Sequence, residues 1–538
     1  MSGSRNVNKF RLMHKILITG SIHEIGLELL RREKDFEIRY APELPYEEIL
    51  KIIPDFHCIL TRSETAIPRE LIDSAPNLKV IARAAVGIGN IDVDYATEKG
   101  ILVINTPGIN TTSAAELAIG LLLSAMRNIV PAHSHMSELK WDRHAFTGTE
   151  LWGKSIGIIG LGNVGHRVAR YAKAFEMEVL AYDPYVSDEV FDRHHAKKCS
   201  LDELLTSADV ISMHVPKNEE TTGMIGAAEF SQMKSGAVIL NTARGGVIQE
   251  KALLEALKSG KVAAAGIDTW EVEPPTENPF RDFPQVVMSP HVGASTKEAQ
   301  QRIAESVATQ IPRALRGEVV DYPVNMPRVK VLSSSPVSSY ISLAEKLGLF
   351  SSQYVEFTPT HLAISYRGKL AKHDATLLRL CFLKGLLQNR QDYVSYVNAD
   401  QQAENVGLHV EEHEDPGFTD YESALICELS ASGRQFVIGG VVFSGPHPRI
   451  TLINGFECEF EAEGTILATT NQDRPGMVGV LGTCLGKNGI NIDQFQLARN
   501  IRGGEALSLI RVDDDLPLKV LKEIRNQEGI TSACKIVL

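Results

Sequence analysis

The sequence predicts an α/β protein. Two doubly wound parallel-sheet domains are expected up to about residue 325, then an α+β domain and a small ferredoxin-like layer. Three observations carry this. Short β-rich runs alternate with helical patterns from Met13 to about Ser295, which is the grammar of parallel sheets. A glycine fingerprint sits between one such strand and its helix. The pattern then changes after SSSPVSS, Ser333 to Ser339, the most linker-like segment of the chain. A length of 538 residues leaves room for three or four domains.

The elements follow in order. MSGSRNVNKFRL is polar, lacks the apolar core of a secretory signal and reads as a floppy head. The strands KILITG, FEIRY, LKVIAR and ILVINTP then alternate with the helices EIGLELLRREK and PYEEILKII. TTSAAELAIGLLLSAMRN opens on Thr and Ser as N-cap candidates and reads as one long helix. A second strand set follows: KSIGIIG, EVLAYD, DVISMHV, AVILNTAR, AAAGID and VVMSPH. The third unit shows one strong helix, HDATLLRLCFLKGLLQNR, among the strands HLAISYRG, SALICELS, RQFVIGGVVF and ITLING. The last seventy-odd residues read strand, helix, strand, strand, helix, strand, the βαββαβ order of a ferredoxin-like layer.

Composition excludes several partners. The net charge of -12 argues against nucleic acid, whose binders carry a basic excess. Seven scattered cysteines without a CxxC pair suit a reducing compartment, so a cytoplasmic address is expected. The longest apolar run, AIGLLLSAM, is too short to cross a bilayer, and no membrane partner is expected. No metal is expected either. His409 and His413 with Glu411, Glu412, Glu414 and Asp415 run into Pro416-Gly417 and read as a solvated loop.

The fingerprint is Gly160-Leu161-Gly162-Asn163-Val164-Gly165, after the strand KSIGII and before the helix HRVARYAKAF. Its glycines allow a tight turn and close approach to a pyrophosphate, which then meets the free N–H groups at the helix start. Asp183 ends the next strand, where a carboxylate accepts from ribose hydroxyls and repels a 2′-phosphate, favouring NAD over NADP. A flavin remains the rival cofactor. Ala243 and Asp268, at the exits of AVILNTAR and AAAGID, complete the candidate cofactor set.

Oxidising a secondary alcohol with NAD requires a base for the hydroxyl proton and a cation for the substrate's carboxylate or carbonyl oxygen. Arg244, Glu273 and His291 all sit at strand exits, at the end of the sheet where open α/β folds bind ligands. A hydrogen bond from His291 to Glu273 would orient the imidazole for proton transfer. The words NTARGGVI, GIDTWEVEP and SPHVGAST resemble the D-isomer-specific 2-hydroxyacid dehydrogenase family. That resemblance implies that Arg244 binds substrate, Glu273 partners the imidazole and His291 is the acid/base catalyst. It also implies a discontinuous substrate-binding domain, 13–107 plus 300–325, around an NAD-binding domain at 108–299. Its returning helix would be TKEAQQRIAESVATQIPRALRG, and the active site would lie in the cleft between the two layers.

The family acts on several 2-hydroxy acids, and a phosphorylated one needs a second anion site. Arg62 and Ser63 follow one strand, Arg83 another, and NTPGIN supplies Asn110. From TRSETAI through VGIGNIDVD, NTPGINTTSAAEL and WDRHAFTGTEL, the chain is similar to the phosphoglycerate-oxidising branch of the family. By that likeness Arg62, Ser63 and Asn110 contact substrate, and Arg143 adds charge near a phosphate. The implied reaction is NAD-dependent oxidation of 3-phospho-D-glycerate, the entry to serine synthesis. A glyoxylate or hydroxypyruvate reductase and an NAD-sensing corepressor are the alternatives. The tail is similar to that branch's long form, with an intervening domain at 336–461 and an ACT domain at 463–538. ACT domains commonly sense amino acids and pair across subunits, so a homotetramer is expected. Asn471, Asp473 and Asn491 would then bind L-serine, near a helix whose N-terminal amides can hold a carboxylate. The chain departs here from some shorter relatives of that branch, which carry His and Asn where this chain has Asn471 and Asp473. In the intervening domain Lys369, Arg434 and Arg449 read as solvated charges.

Overall fold

A computed structural model describes residues 13–326, 336–391, 393–417, 421–443 and 447–538. The expected polar head and the first three residues of the linker-like segment lie outside the described residues.

The first sheet holds β1 (His14–Ile18), β2 (Phe36–Tyr40), β3 (Cys58–Thr61), β4 (Val80–Arg83) and β5 (Leu102–Ile104). Its order is β2-β1-β3-β4-β5 and every pair is parallel. The inner strands β3 and β4 are buried at every position because helices cover both faces. On one face Ile16, Ile18, Leu60 and Ala82 meet Leu27, Leu30, Ile303 and Val307 from the helices Glu24–Arg32 and Lys297–Leu315. On the other, Leu17, Ile59 and Ile81 meet Ile49, Leu71 and Ile72. Helix Lys297–Leu315 is capped by Thr296, whose Oγ1 accepts from the Ala299 N–H at 3.2 Å. It approaches so closely that a Cβ on Gly26 would lie 3.0 Å from Ala304 Cβ.

The second sheet holds β6 (Ser155–Ile159), β7 (Glu178–Tyr182), β8 (Lys197–Lys198), β9 (Val210–Met213), β10 (Ala237–Asn241), β11 (Val262–Ile267) and β12 (Val286–Met288). The order is β12-β11-β10-β9-β6-β7-β8, again parallel throughout. Strand order reverses at β6, which is where open α/β sheets form a ligand crevice. Helix Thr111–Met126 lies on this sheet, with Ala115, Ala118 and Leu122 in its apolar core.

The expected long helix TTSAAELAIGLLLSAMRN forms as Thr111–Met126 and ends just before Asn128. Asn128 adopts a left-handed conformation, φ 50, and a separate helix Ile129–Ser137 leaves at 66°. Asparagine tolerates that backbone region better than most residues. That second helix has no buried residue, and Trp141 beyond it is 76% exposed. Among the described residues no single helix is long and apolar enough to cross a membrane.

The third sheet holds β13 (His361–Gly368), β14 (His409–Asp415), β15 (Ser423–Ala431), β16 (Arg434–Phe443), β17 (His447–Ile453) and β18 (Phe456–Glu461), in the order β14-β13-β15-β16-β17-β18. β14 runs parallel to β13 and the other pairs are antiparallel. Two expectations are corrected here. Pro336 to Ser339, read as linker, is the first turn of the helix Pro336–Tyr354, where proline's missing N–H costs nothing. This helix packs on Thr376–Leu387 through paired glycines: a Cβ on Gly348 would lie 2.1 Å from the Phe382 carbonyl oxygen, and one on Gly385 2.1 Å from that of Glu345. His409 to Asp415, read as a solvated loop, is instead an exposed edge strand, with Glu411 beside both histidines. Lys369 pairs with Glu422, and Arg449 with Glu461 at 2.5 Å.

This unit seats on the first sheet's domain. Asn398 Nδ2 donates to the Glu98 carbonyl at 3.2 Å, and Lys99 lies over the Tyr393 ring at 5.3 Å. Val397 joins the first sheet's apolar cluster.

The fourth sheet, β19 (Thr465–Gln472), β20 (Ile492–Arg499), β21 (Glu505–Val512) and β22 (Ile530–Val537), is antiparallel in the order β20-β21-β19-β22. Helices Met477–Lys487 and Leu518–Arg525 complete the βαββαβ layer.

Candidate active site

The glycine turn leaves β6 at the switch point. Gly160 has φ 92, and a Cβ there would lie 2.7 Å from the His214 carbonyl oxygen. A Cβ on Gly165 would lie 2.0 Å from the Gly160 carbonyl oxygen, so the first turn of helix Gly165–Ala174 can close down only on glycine. A Cβ on Gly162 would meet nothing within 4 Å, which leaves its side open. Val164 is the N-cap of the helix. Asp183 Oδ2 accepts from the Leu161 N–H at 2.8 Å, and Oδ1 from the Tyr185 N–H at 2.9 Å. The carboxylate therefore ties the exit of β7 to the glycine turn. An open glycine at the helix start and a fixed carboxylate at the end of the neighbouring strand together fit a dinucleotide.

Asn163 and Arg244 line one side of a cleft of ≈ 2000 Å³. Val86, Gly87, Ile88 and Gly89, with Pro107 and Gly108, line it from the first sheet's domain. Arg244 reaches across, and a Cβ on Gly87 would sit 3.8 Å from its Nη2. Its Nη1 donates to the Ala243 carbonyl at 2.6 Å, while Asn241 Nδ2 donates to the Arg244 carbonyl at 3.0 Å. Burial lowers the Arg244 guanidinium below its ordinary value, and the Glu273 charge opposes that shift.

Glu273 is the hinge of the constellation. Its Oε2 lies 2.7 Å from His291 Nδ1, and its Oε1 accepts from the Trp270 N–H at 3.0 Å. With Nδ1 so engaged, Nε2 is the nitrogen left for proton exchange. His291 sits at φ 54, a left-handed conformation that costs of order 1 kcal/mol for a residue other than glycine. It is held by its own N–H on the Asp268 carbonyl at 2.9 Å.

Asp268 carries a task that sequence reading missed. Only 1% exposed, it accepts from Ser289 Oγ at 2.6 Å, the Val292 N–H at 2.8 Å and the Gly293 N–H at 2.9 Å. Expected as a cofactor contact, it braces the segment on both sides of His291. Trp270 Nε1 adds a bond to the Ser289 carbonyl at 3.2 Å. The aspartate and tryptophan in DTWEVEP are the signal that could have revealed this brace. Asp268→Asn would turn an N–H donor toward one of these backbone donors, and is expected to lower unfolding free energy by about 1–3 kcal/mol in urea titrations.

The other expected substrate residues are placed differently from Arg244. Arg62 Nη1 donates to the Ser21 carbonyl at 2.9 Å. Arg83, 7% exposed, gives Nε to the Gly87 carbonyl at 2.8 Å and Nη1 to the Arg62 carbonyl. It holds the Arg62 and Gly87 loops, where direct anion binding was expected, and burial depresses its guanidinium to about 10. Ser63 is exposed beside Arg62. Asn110 is the N-cap of helix Thr111–Met126, whose first turn meets the segment after His291: Ser113 Oγ and Thr296 Oγ1 lie 2.8 Å apart, and a Cβ on Gly293 would lie 3.8 Å from Ala114 Cβ. Arg143 is exposed and, like Arg62, Ser63 and Asn110, lies outside the lining of the cleft.

In the fourth sheet's unit Asn471 is 1% exposed, with Nδ2 on the Gln472 carbonyl at 2.8 Å. Asp473 Oδ2 accepts from the Gly503 N–H at 2.8 Å and Arg499 at 3.3 Å, and these hold its carboxyl below the usual range, the Gly503 bond most strongly. Asn491 Nδ2 donates to Asp513 at 2.7 Å. Each of the three is thus engaged with other residues of its own chain.

Comparison with known proteins adds names to this geometry. Residues 119–293 match the D-isomer specific 2-hydroxyacid dehydrogenase NAD binding domain, and residues 336–454 the D-3-phosphoglycerate dehydrogenase intervening domain. The chain is 39% identical to the D-3-phosphoglycerate dehydrogenase of Methanocaldococcus jannaschii, covering 98% of this chain and 100% of that protein. It is 34% identical to that of Bacillus subtilis, over 97% and 99%. A glyoxylate reductase structure from Paecilomyes thermophila is 34% identical with a TM-score of 0.53, covering 58% of this chain and 98% of its own. A D-lactate dehydrogenase from Aquifex aeolicus, complexed with NAD and lactic acid, is 28% identical with a TM-score of 0.50, covering 57% and 96%.

Proposed function

We infer the activity from one premise: the chain belongs to the D-isomer-specific 2-hydroxyacid dehydrogenase family, among its D-3-phosphoglycerate dehydrogenases. It is an NAD-dependent oxidoreductase that converts 3-phospho-D-glycerate to 3-phosphohydroxypyruvate, the first step of L-serine biosynthesis. The observation that carries the chemistry is the 2.7 Å contact between Glu273 and His291, linked through the Glu273 charge to Arg244 at the cleft wall.

His291 takes the C2 hydroxyl proton at Nε2 as the alcohol is oxidised, and Glu273 stabilises the imidazolium that forms. Arg244 holds the carboxylate and the oxygen at C2 through charge-assisted bonds. Bound NAD supplies the hydride acceptor, and Gly160, Gly162, Asn163, Val164, Gly165 and Asp183 would hold it, with Ala243 beside Arg244. Arg62, Ser63 and Asn110 take the remaining substrate contacts, while Arg83 and Asp268 position the loops that carry Arg62 and His291. The substrate-binding domain comprises 13–107 with 300–325, and the NAD-binding domain 108–299. The intervening domain comprises 336–461 and the ACT domain 463–538.

The ACT domain gives L-serine feedback in a homotetramer, with Asp473 and Asn491 meeting the amino group across paired subunits. Exposed Trp141 and Arg143 suit contact with a second subunit. Seven free thiols support a cytoplasmic location.

The test is NADH absorbance with 3-phosphoglycerate and D-glycerate in parallel, each with and without L-serine. Turnover confined to the phosphorylated acid and suppressed by serine is expected. A preference for D-glycerate would favour a glyoxylate or hydroxypyruvate reductase, and serine-indifferent turnover would remove the feedback role.

A further inference from the structure

The dinucleotide crevice carries a second carboxylate with no part in the chemistry above. β7 and β9 flank β6, so the loops leaving them face each other across the glycine turn. On the β7 side, Asp183 grips the Tyr185 N–H. The loop after β9 is cross-tied. Asn218 Oδ1 accepts from the Thr221 N–H at 2.9 Å, and Thr221 Oγ1 accepts from the Asn218 N–H at 2.9 Å. The Thr221 hydroxyl donates to the Pro216 carbonyl at 2.6 Å. That rigid turn presents Glu220 toward the opposite wall, where the Tyr185 phenol donates a hydrogen bond to Glu220 Oε2. The bond joins the two walls, and Pro216 and Lys217 from the same loop line the cleft. Both carboxylates act on the one phenol: the Glu220 bond raises it most above its ordinary value, and the Asp183 charge adds to the rise.

We propose that Glu220, held in place by Tyr185, is a second specificity-determining residue that rejects a 2′-phosphorylated dinucleotide. The proposal rests on the NAD reading and deepens it. A 2′-phosphate near Asp183 would bring about two negative charges into a crevice that already holds one carboxylate. A second carboxylate fixed by the tyrosine clasp raises the electrostatic penalty, whereas an unphosphorylated ribose is indifferent to it. Because the clasp is exposed, salt weakens the effect.

The experiment is calorimetric titration of the full-length protein with NADH and NADPH at low and high salt. Wild type is compared with Glu220→Gln and Tyr185→Phe. Glutamine keeps an oxygen for the tyrosine but loses the charge. Glu220→Gln is expected to tighten NADPH binding about five- to tenfold at low salt, with NADH changed by less than about twofold. Tyr185→Phe is expected to shift the ratio in the same direction by less, because the charge remains but is no longer held. An unchanged NADPH to NADH ratio in Glu220→Gln, or an equal gain for both dinucleotides, would overturn the proposal. Wild type binding NADPH as tightly as NADH would overturn the cofactor reading, and the clasp with it.

Discussion

Replacing His291 by glutamine is expected to lower kcat by about 10²–10⁴-fold, the span a positioned general acid/base supplies. Glutamine can still bond to Glu273 through its amide N–H, so the loop keeps its partner, but it has no group that exchanges a proton at working pH. NADH affinity is expected to stay within about twofold, because the glycine turn and Asp183 lie on other strands. Steady-state kinetics together with calorimetric NADH titration read both quantities. A kcat within about tenfold of wild type would assign the proton to another group.

Arg244→Ala is expected to lower kcat/KM by about 10²–10³-fold, the loss of two charge-assisted bonds at roughly 1.5–2 kcal/mol each. Arg244 meets the substrate before and during reaction, so most of the loss should appear in KM. Arg244→Lys should recover only about tenfold, since an ammonium is a point charge and cannot repeat the planar fork. Equal activity of the lysine and wild-type proteins would show that charge alone is read at this position. Because Arg244 faces Gly87 across the cleft, both changes should also loosen domain closure.

Much of this site was legible in the sequence because its parts sit at strand exits. Glu273 and His291 each follow a β run, and the glycine turn is bounded by a strand and a helix. What hid from the sequence depends on contacts between distant segments. The acceptor role of Asp268 exists only once Ser289, Val292 and Gly293 fold back on it. The backbone bonds of Arg83 need the loops at Arg62 and Gly87 to converge. In the tail, the helix Pro336–Tyr354 was masked by its serine-rich start, although its later apolar spacing packs Leu343, Leu347 and Phe350 into the core. β14 was masked for the opposite reason. An edge strand whose side chains are nearly all exposed shows no alternation to read.

That charged strand limits what its own edge of the sheet can pair with. β14 ends the six-stranded sheet, and among the described residues no strand pairs with its outer edge, a template on which another sheet could grow. Its side chains include Glu411, Glu412, Glu414 and Asp415, so a second such edge laid alongside would set carboxylate against carboxylate. Such repulsion disfavours growth of the sheet across this edge. Glu412 is also tied to Tyr366 and Arg379 and Asp415 lies beside Arg367, so Glu411 and Glu414 carry most of this colloidal safeguard.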